Sequence, residues 1–152
     1  FLIVGTGSKA HTNSIQNKIK SLDLASSVIL AGRWSPPIHE LLAGINVLVV
    51  SSEQESFGLT IIEALAMETP VVSTRCGGPE EIIENGRTGY LVPLRNADSM
   101  SKAILKLLQN PQYARNIGQA GRKDVLSKFT VEHYTLGIQQ TIEQIFSKNI
   151  NT

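Results

Sequence analysis

The sequence has little cysteine, no large charge imbalance and no long hydrophobic run. Its single cysteine, Cys76, excludes a disulfide framework and a cysteine-based zinc site. A net charge of +1 gives no strong attraction to nucleic acid or to an anionic membrane surface. No apolar run approaches the roughly 20 residues that a membrane-spanning helix needs, and the first residues lack a signal-peptide pattern. We therefore expect a cytoplasmic protein without a nucleic-acid partner.

The composition is that of a globular domain. Of the 152 residues, 41% are hydrophobic and 18% are charged, which is enough apolar material for one packed core. The chain begins at Phe1, inside an apolar run and without an initiator Met. We therefore expect one domain, residues 1–152, that belongs to a longer protein and lacks its own first strand and helix.

Short β-branched runs alternate with helical patterns up to residue 95. Helices are indicated at 58–68 and 79–84, and three more begin near Asn96, Asn110 and Thr130. The β-branched runs are almost continuously apolar, which is typical of strands covered on both faces of a parallel sheet. They are FLIV (1–4), VILA (28–31), NVLVV (46–50), PVVST (70–74) and GYLVP (89–93). The alternation predicts an α/β fold, a Rossmann-like three-layer sandwich with a mostly parallel sheet.

The stretch SSEQESFGLTIIE (51–63) follows the third predicted strand and opens the helix at 58–68. In such sheets, ligands bind at the carboxyl ends of the strands, where helix N-termini present unpaired N–H groups. Glu55 lies in this loop, and Gly58 allows the backbone to approach a ligand closely. The amides of residues 57–60 form the first helical turn, which favours an anionic group such as a phosphate.

Glu63 is the most unusual residue of this stretch because apolar residues flank it on both sides. A buried acid without a partner costs several kcal/mol, so we expect Glu63 to meet a ligand. Adjacent hydroxyls of a sugar can donate two parallel hydrogen bonds to one carboxylate, so Glu55 and Glu63 beside phosphate-binding amides suit a nucleotide-sugar. On spacing alone, the alternative is equally good: Glu55 as a helix N-terminal charge and Glu63 as a solvated helix residue.

The longer segment ESFGLTIIEALAMETPVVSTRCGGPEEIIENGRTGYLVP (55–93) closely resembles the C-terminal domain of the group 1 retaining glycosyltransferases, which have the GT-B fold. That family has two acids separated by seven residues, then a Pro-Val-Val strand, a Gly-Gly turn and a second glycine turn. The resemblance extends more weakly to residue 1. The matching positions are Glu55, Phe57-Gly58-Leu59, Glu63, Pro70-Val71-Val72, Gly77-Gly78, Glu81, Gly86 and Gly89.

The resemblance implies a role for each candidate site residue. Glu55 would be the catalytic residue that faces the donor sugar, and Glu63 would bind the ribose hydroxyls of the nucleotide. No metal and no separate cofactor are implied, since the nucleotide diphosphate-sugar is itself a substrate. The other donor-binding positions would be Ser56, Phe57, Gly58, Leu59 and Thr60, with Gly32 and Arg33 beside the base.

The resemblance also implies a partner, an N-terminal acceptor domain of the same polypeptide. Any peripheral membrane contact would be made through that domain. The family's phosphate-clamping Arg and Lys lie upstream of the FLIV strand, so we expect these 152 residues alone to bind donor weakly and to be inactive. The family usually has glycine two residues before its Pro-Val-Val strand; Glu68 stands there, which could alter the turn.

Other interpretations of the sequence remain open. A nucleotide-sugar epimerase, or a non-catalytic sugar-nucleotide-binding domain of the same architecture, would share these residues. The segment GTGSKA (5–10) fits the G-x-G-x-x-A dinucleotide fingerprint, and Arg33 could accept the 2′-phosphate of NADP. An NADP-dependent oxidoreductase would, however, leave Glu55 and Glu63 unexplained.

Overall fold

A computed structural model of the chain describes residues 1–35 and 37–150, with the side chains of residues 148–150 excepted. The chain divides into two compact units, Phe1–Ile38 and His39–Thr152.

The first unit contains the strands β1 (Leu2–Val4) and β2 (Ile29–Gly32) and the helix α1 (Lys9–Ser21). β1 and β2 pair in parallel. Both predicted strands are therefore present, but none of the described residues in this unit is buried. The expectation that they are covered on both faces is wrong here, because a single helix can cover at most one face of a two-stranded sheet.

The second unit carries the larger sheet, in which β3 (Leu48–Val50), β4 (Val71–Thr74) and β5 (Tyr90–Val92) lie side by side in that order and all in parallel. The helix α2 (Ile38–Gly44) starts at the last residue of the first unit. The elements are α2 (Ile38–Gly44), β3 (Leu48–Val50), α3 (Leu59–Ala66), β4 (Val71–Thr74), α4 (Pro79–Ile82), β5 (Tyr90–Val92), α5 (Ala97–Gln109), α6 (Pro111–Lys128) and α7 (Val131–Ile150).

The predicted helix starts are confirmed by their caps. Asn96 accepts a hydrogen bond from the Ser99 N–H at 2.9 Å, and Pro111 is the first residue of α6. The Thr130 hydroxyl accepts from the His133 N–H at 3.2 Å. These three starts could be read from sequence because the capping interactions are local.

The core lies around the central strand β4, whose four residues are all buried. Successive residues of a strand face opposite sides of the sheet, so this burial requires cover on both faces. Val72 and Val92 pack in one cluster with Ala103 and Leu107 of α5 and Ile117 of α6. The helix α3, which also packs on β3 and β4, buries a separate set of residues: Ile61, Ala64 and Leu65.

The helices α3 and α6 pack very closely, in antiparallel directions. A Cβ added to Gly118 would collide with the Glu68 carbonyl, and one added to Gly121 would lie 2.6 Å from Cδ2 of Leu65. The Arg122 guanidinium donates a hydrogen bond to the carbonyl of Ala66, near the end of α3. Two glycines and an arginine therefore fix the position of α3 against α6.

The turn that ends α3 contains Glu68 in a left-handed conformation, with φ of +61°. The Thr69 N–H donates to the Ala64 carbonyl at 2.9 Å, and the Glu68 N–H donates to the Leu65 carbonyl at 3.0 Å. This is the Schellman pattern, in which glycine usually occupies the left-handed position. Glu68 therefore adopts the conformation that the glycine of the family pattern favours, and the turn is closed in the usual way.

Replacing Glu68 by glycine should increase the free energy of unfolding by about 1 kcal/mol, because a left-handed conformation is costly for a residue with a Cβ. Urea denaturation of the wild-type and Glu68→Gly chains measures this difference. Glu68→Ala is the matched control, since it removes the exposed carboxylate 3.9 Å from Arg122 but keeps the Cβ. Equal stability of the two variants would contradict the explanation.

Candidate functional site

Glu55 lies in the loop that joins β3 to α3, at the carboxyl end of the larger sheet. Its N–H donates to the Cys76 carbonyl at 3.0 Å, and its carbonyl accepts from the Gly78 N–H at 2.8 Å. Glu55 and Gly77 thus form an isolated parallel bridge between this loop and the loop after β4. The main chain of the candidate catalytic residue is therefore attached to the neighbouring strand's loop.

Gly77 and Gly78 make this attachment possible. Gly77 has φ of +108°, and a Cβ there would lie 2.9 Å from the Glu55 carbonyl oxygen. A Cβ on Gly78 would collide with the Phe57 carbonyl. The sequence predicted a Gly-Gly turn but not its function, which is to let two loops at the sheet edge touch through their backbones. The available signal was the position of the pair, directly after the strand beside β3.

The Glu55 side chain is half-buried and stays near the start of α3. Its Oε1 accepts a long hydrogen bond of 3.4 Å from the Phe57 N–H. The nearby Glu53 carboxylate pairs instead with Arg95, Oε1 to Nε at 2.9 Å. The hydrogen bond and the charge of Arg95 lower the pKa of Glu53 from its ordinary value. Of these two acids, Glu53 is engaged by a cation and Glu55 is turned toward the helix N-terminus.

The N-terminus of α3 offers free hydrogen-bond donors. Gly58, with φ of +101°, caps the helix without a side chain, and its carbonyl accepts from the N–H groups of Ile61 and Ile62. Within the described ranges 1–35 and 37–150, the N–H groups of Gly58, Leu59 and Thr60 have no acceptor. Unpaired amides at a helix N-terminus favour an anion. The Phe57 N–H, which was predicted to belong to this group, donates to Glu55 instead.

Glu63 is exposed, which corrects the expectation that it is a buried acid in an apolar setting. Three of its apolar neighbours in sequence, Ile61, Ala64 and Leu65, turn to the other side of α3, where they are buried. Residues three and four apart share one helix face, so Glu63 lies on the same side as Leu59 and Thr60, both also exposed. Helical side chains lean toward the N-terminus, so the Glu63 side chain is directed toward the turn with the free amides.

Gly32 and Arg33, the residues predicted to lie beside the base, belong to the first unit. Gly32 has φ of +67°, and its carbonyl accepts from the Gly5 N–H at 2.8 Å. Arg33 follows at the carboxyl end of β2 and is exposed. The structure thus gathers Ser56, Phe57, Gly58, Leu59, Thr60 and the two acids within the second unit, and places this pair in the other one.

Three further features bear on other kinds of site: possible metal ligands, the cysteine and possible membrane-spanning helices. In the described part of the chain, no three His, Cys, Asp or Glu side chains are grouped as metal ligands. Cys76 is a buried free thiol. No described helix combines the length and hydropathy needed to cross a membrane.

A family model matches most of the chain and agrees with the resemblance to the group 1 glycosyltransferases. Residues 1–124 match the family model described as "Glycosyl transferases group 1". The chain belongs to the group 1 glycosyltransferases. The family was therefore identified correctly from the acid pair, the Gly-Gly turn and their spacing.

Curated relatives of this group 1 glycosyltransferase chain are much longer than it is. N-acetyl-alpha-D-glucosaminyl L-malate synthase of Bacillus anthracis is 34% identical over 132 residues, which are 87% of this chain and 34% of the relative. Poly(ribitol-phosphate) alpha-N-acetylglucosaminyltransferase of Staphylococcus aureus is 32% identical over 133 residues, 87% of this chain and 26% of the relative. The chain thus spans about a third or less of these relatives.

Solved structures confirm the α/β fold class. Sucrose-phosphate synthase of Thermosynechococcus elongatus superposes with a TM-score of 0.84 at 31% identity, over 97% of this chain and 38% of that protein. Anabaena HepE in complex with UDP gives a TM-score of 0.88 over 94% of this chain and 40% of HepE, and at 24% identity this likeness concerns the fold alone. These matches give no support to an epimerase or an NADP-dependent oxidoreductase.

Proposed function

We propose that this chain is the donor-binding half of a retaining glycosyltransferase that transfers a sugar from a nucleotide diphosphate-sugar to an acceptor. One observation carries the proposal: three free amides at the start of α3 have the Glu55 carboxylate next to them, and Glu63 is exposed one helical turn further along the same face. Family membership supports a donor of this class.

The diphosphate of the donor would bind at the free amides of Gly58, Leu59 and Thr60. The helix dipole adds partial positive charge at this end of α3. During transfer, negative charge grows on the departing diphosphate, and fixed donors that already point at it lower the barrier without reorganising. In this proposal, neither a metal ion nor a separate cofactor takes part.

The two acids would divide the rest of the donor between them. Glu63, one helical turn below the free amides, would accept hydrogen bonds from the ribose hydroxyls. Glu55, held in the loop before the helix, would act on the sugar at the reacting centre. Ser56 and Phe57 would line the path between them.

The acceptor would be bound by a second domain of the same polypeptide. Support for this comes from the lengths of the relatives, of which the chain covers only 26% to 34%. We infer that these 152 residues alone are inactive and that membrane contact, where it occurs, is made through the acceptor domain. The proposed location is the cytoplasm, and the partners do not include nucleic acid.

Replacing Glu63 by alanine should remove the preference of the chain for a ribose with free hydroxyls. Hydrogen bonds to a charged group contribute about 1.5–3 kcal/mol, so the wild type should bind UDP or GDP at least about tenfold more tightly than the 2′,3′-dideoxy analogue. Calorimetric titration of both nucleotides into the full-length wild type and the full-length Glu63→Ala variant measures this difference. If Glu63→Ala keeps the wild-type preference, the ribose role is excluded.

The reaction itself is tested with the full-length protein and a panel of nucleotide diphosphate-sugars. Transfer of the sugar to an added acceptor, with retention of the anomeric configuration, supports the proposal. Epimerisation of the donor without transfer would replace it with the epimerase interpretation, and donor binding without turnover would favour a non-catalytic domain.

A further inference from the structure

The loop that carries the candidate site makes one aromatic contact with a distant part of the second unit. The rings of Phe57 and Phe129 meet edge to face, with centroids 5.9 Å apart and planes at 72°. Phe57 directly precedes Gly58, the first residue with a free amide at the start of α3. Phe129 is the C-cap of α6.

Phe129 is itself held in a defined place. Its N–H donates to the carbonyl of Val125, a buried residue of α6, at 2.8 Å. Further back along the same helix, Gly118 and Gly121 press against the backbone of Glu68 and the side chain of Leu65. Because α6 runs antiparallel to α3, this packing delivers the C-terminal end of α6 to the N-terminal end of α3.

We propose that Phe129 is a positioning residue for the donor site, which it acts on by holding the ring of Phe57. The inference rests on the function proposed above. The two sides of Phe57 are held by different elements: its carbonyl lies against Gly78, and its ring lies against Phe129. Together these contacts determine how the peptide that leads into Gly58 is oriented, and hence where the first amides of α3 point.

In the proposed function the free amides bind the diphosphate. Loss of the Phe129 ring should therefore reduce the contribution of the second phosphate to the binding affinity more than the contribution of the nucleoside. The readout is the ratio of the affinities for UDP and UMP, or for GDP and GMP where the wild type binds GDP. A variant that only lowers the folded fraction reduces the binding of both nucleotides equally and leaves this ratio unchanged.

The experiment titrates the full-length wild type, Phe129→Ala and Phe129→Tyr with each nucleotide by calorimetry. The energy of an aromatic pair of this geometry changes an equilibrium constant by about 2- to 12-fold. Phe129→Ala should therefore lower the ratio of diphosphate affinity to monophosphate affinity by up to that factor. Phe129→Tyr keeps the ring and should keep the ratio. Leu126→Ala is the matched control, because Leu126 is a large, exposed residue of the same helix.

The outcomes separate this inference from the proposed function. A full-length wild type that binds neither UDP nor GDP would refute both. A wild type that prefers the diphosphate, together with an unchanged ratio in Phe129→Ala or an equal loss in Phe129→Tyr or Leu126→Ala, would refute the positioning role and leave the function standing.

Discussion

Replacing Glu55 by glutamine in the full-length transferase should lower the turnover number by about 10²- to 10³-fold, a size typical for loss of one fixed charge-stabilising group. Its affinity for the nucleotide should change little. Glutamine keeps the size and shape of the side chain, and the main chain of residue 55 is fixed independently by Cys76 and Gly78. The substitution therefore removes the negative charge and leaves the loop in place.

Steady-state kinetics gives the turnover number, and calorimetry with the nucleoside diphosphate gives the affinity. Glu53→Gln is the matched control: it lies two residues away in the same loop and its carboxylate pairs with Arg95. Both partners are well exposed, at 70% and 80%, and exposed pairs contribute little. Near-normal turnover of Glu55→Gln, or an equal loss in both variants, would remove Glu55 from the reacting centre.

Replacing Gly118 by alanine should lower the free energy of unfolding by about 3 kcal/mol, at the upper end of the usual range for overpacking. The new Cβ would collide with the carbonyl of Glu68, which belongs to the backbone and cannot rotate away as a flexible side chain could. The helices α3 and α6 would have to separate. This is the opposite of the effect that alanine normally has in a helix, where it is more favourable than glycine.

Gly137→Ala provides the matched control. Gly137 also lies within a helix, α7, but a Cβ there meets nothing within 4 Å. This variant should be more stable than the wild type by up to about 1 kcal/mol. Chemical denaturation of the three chains separates packing from helix propensity, and a Gly118→Ala chain as stable as Gly137→Ala would show that the two helices tolerate a wider spacing.

Local features of the fold could be predicted well from the sequence. The β-branched runs became strands and the helix starts at Asn96 and Pro111 lie where expected, because hydrophobic runs and caps depend on near neighbours in the chain. The environment of Glu63 was predicted wrongly, since apolar residues next to it in sequence face the opposite side of a helix that turns every 3.6 residues. Adjacency in sequence was mistaken for contact.

Tertiary contacts could not be predicted from the sequence patterns. The pairing of Glu55 with Gly77 depends on which loops the sheet places side by side, and the contact of Phe57 with Phe129 depends on the packing of α6. Glu68 itself gives no local signal for its left-handed turn, and the glycine of the family pattern at this position was the available signal.

The parallel bridge at Glu55 has a consequence for the thermodynamics of the reaction. A carboxylate on a free loop must lose conformational entropy each time it engages a substrate, and that loss subtracts from the binding energy. Here the ordering of the peptide at residue 55 is completed during folding, because the bridge to Gly77 extends the sheet beyond its formal end. The donor would therefore meet a preorganised acid.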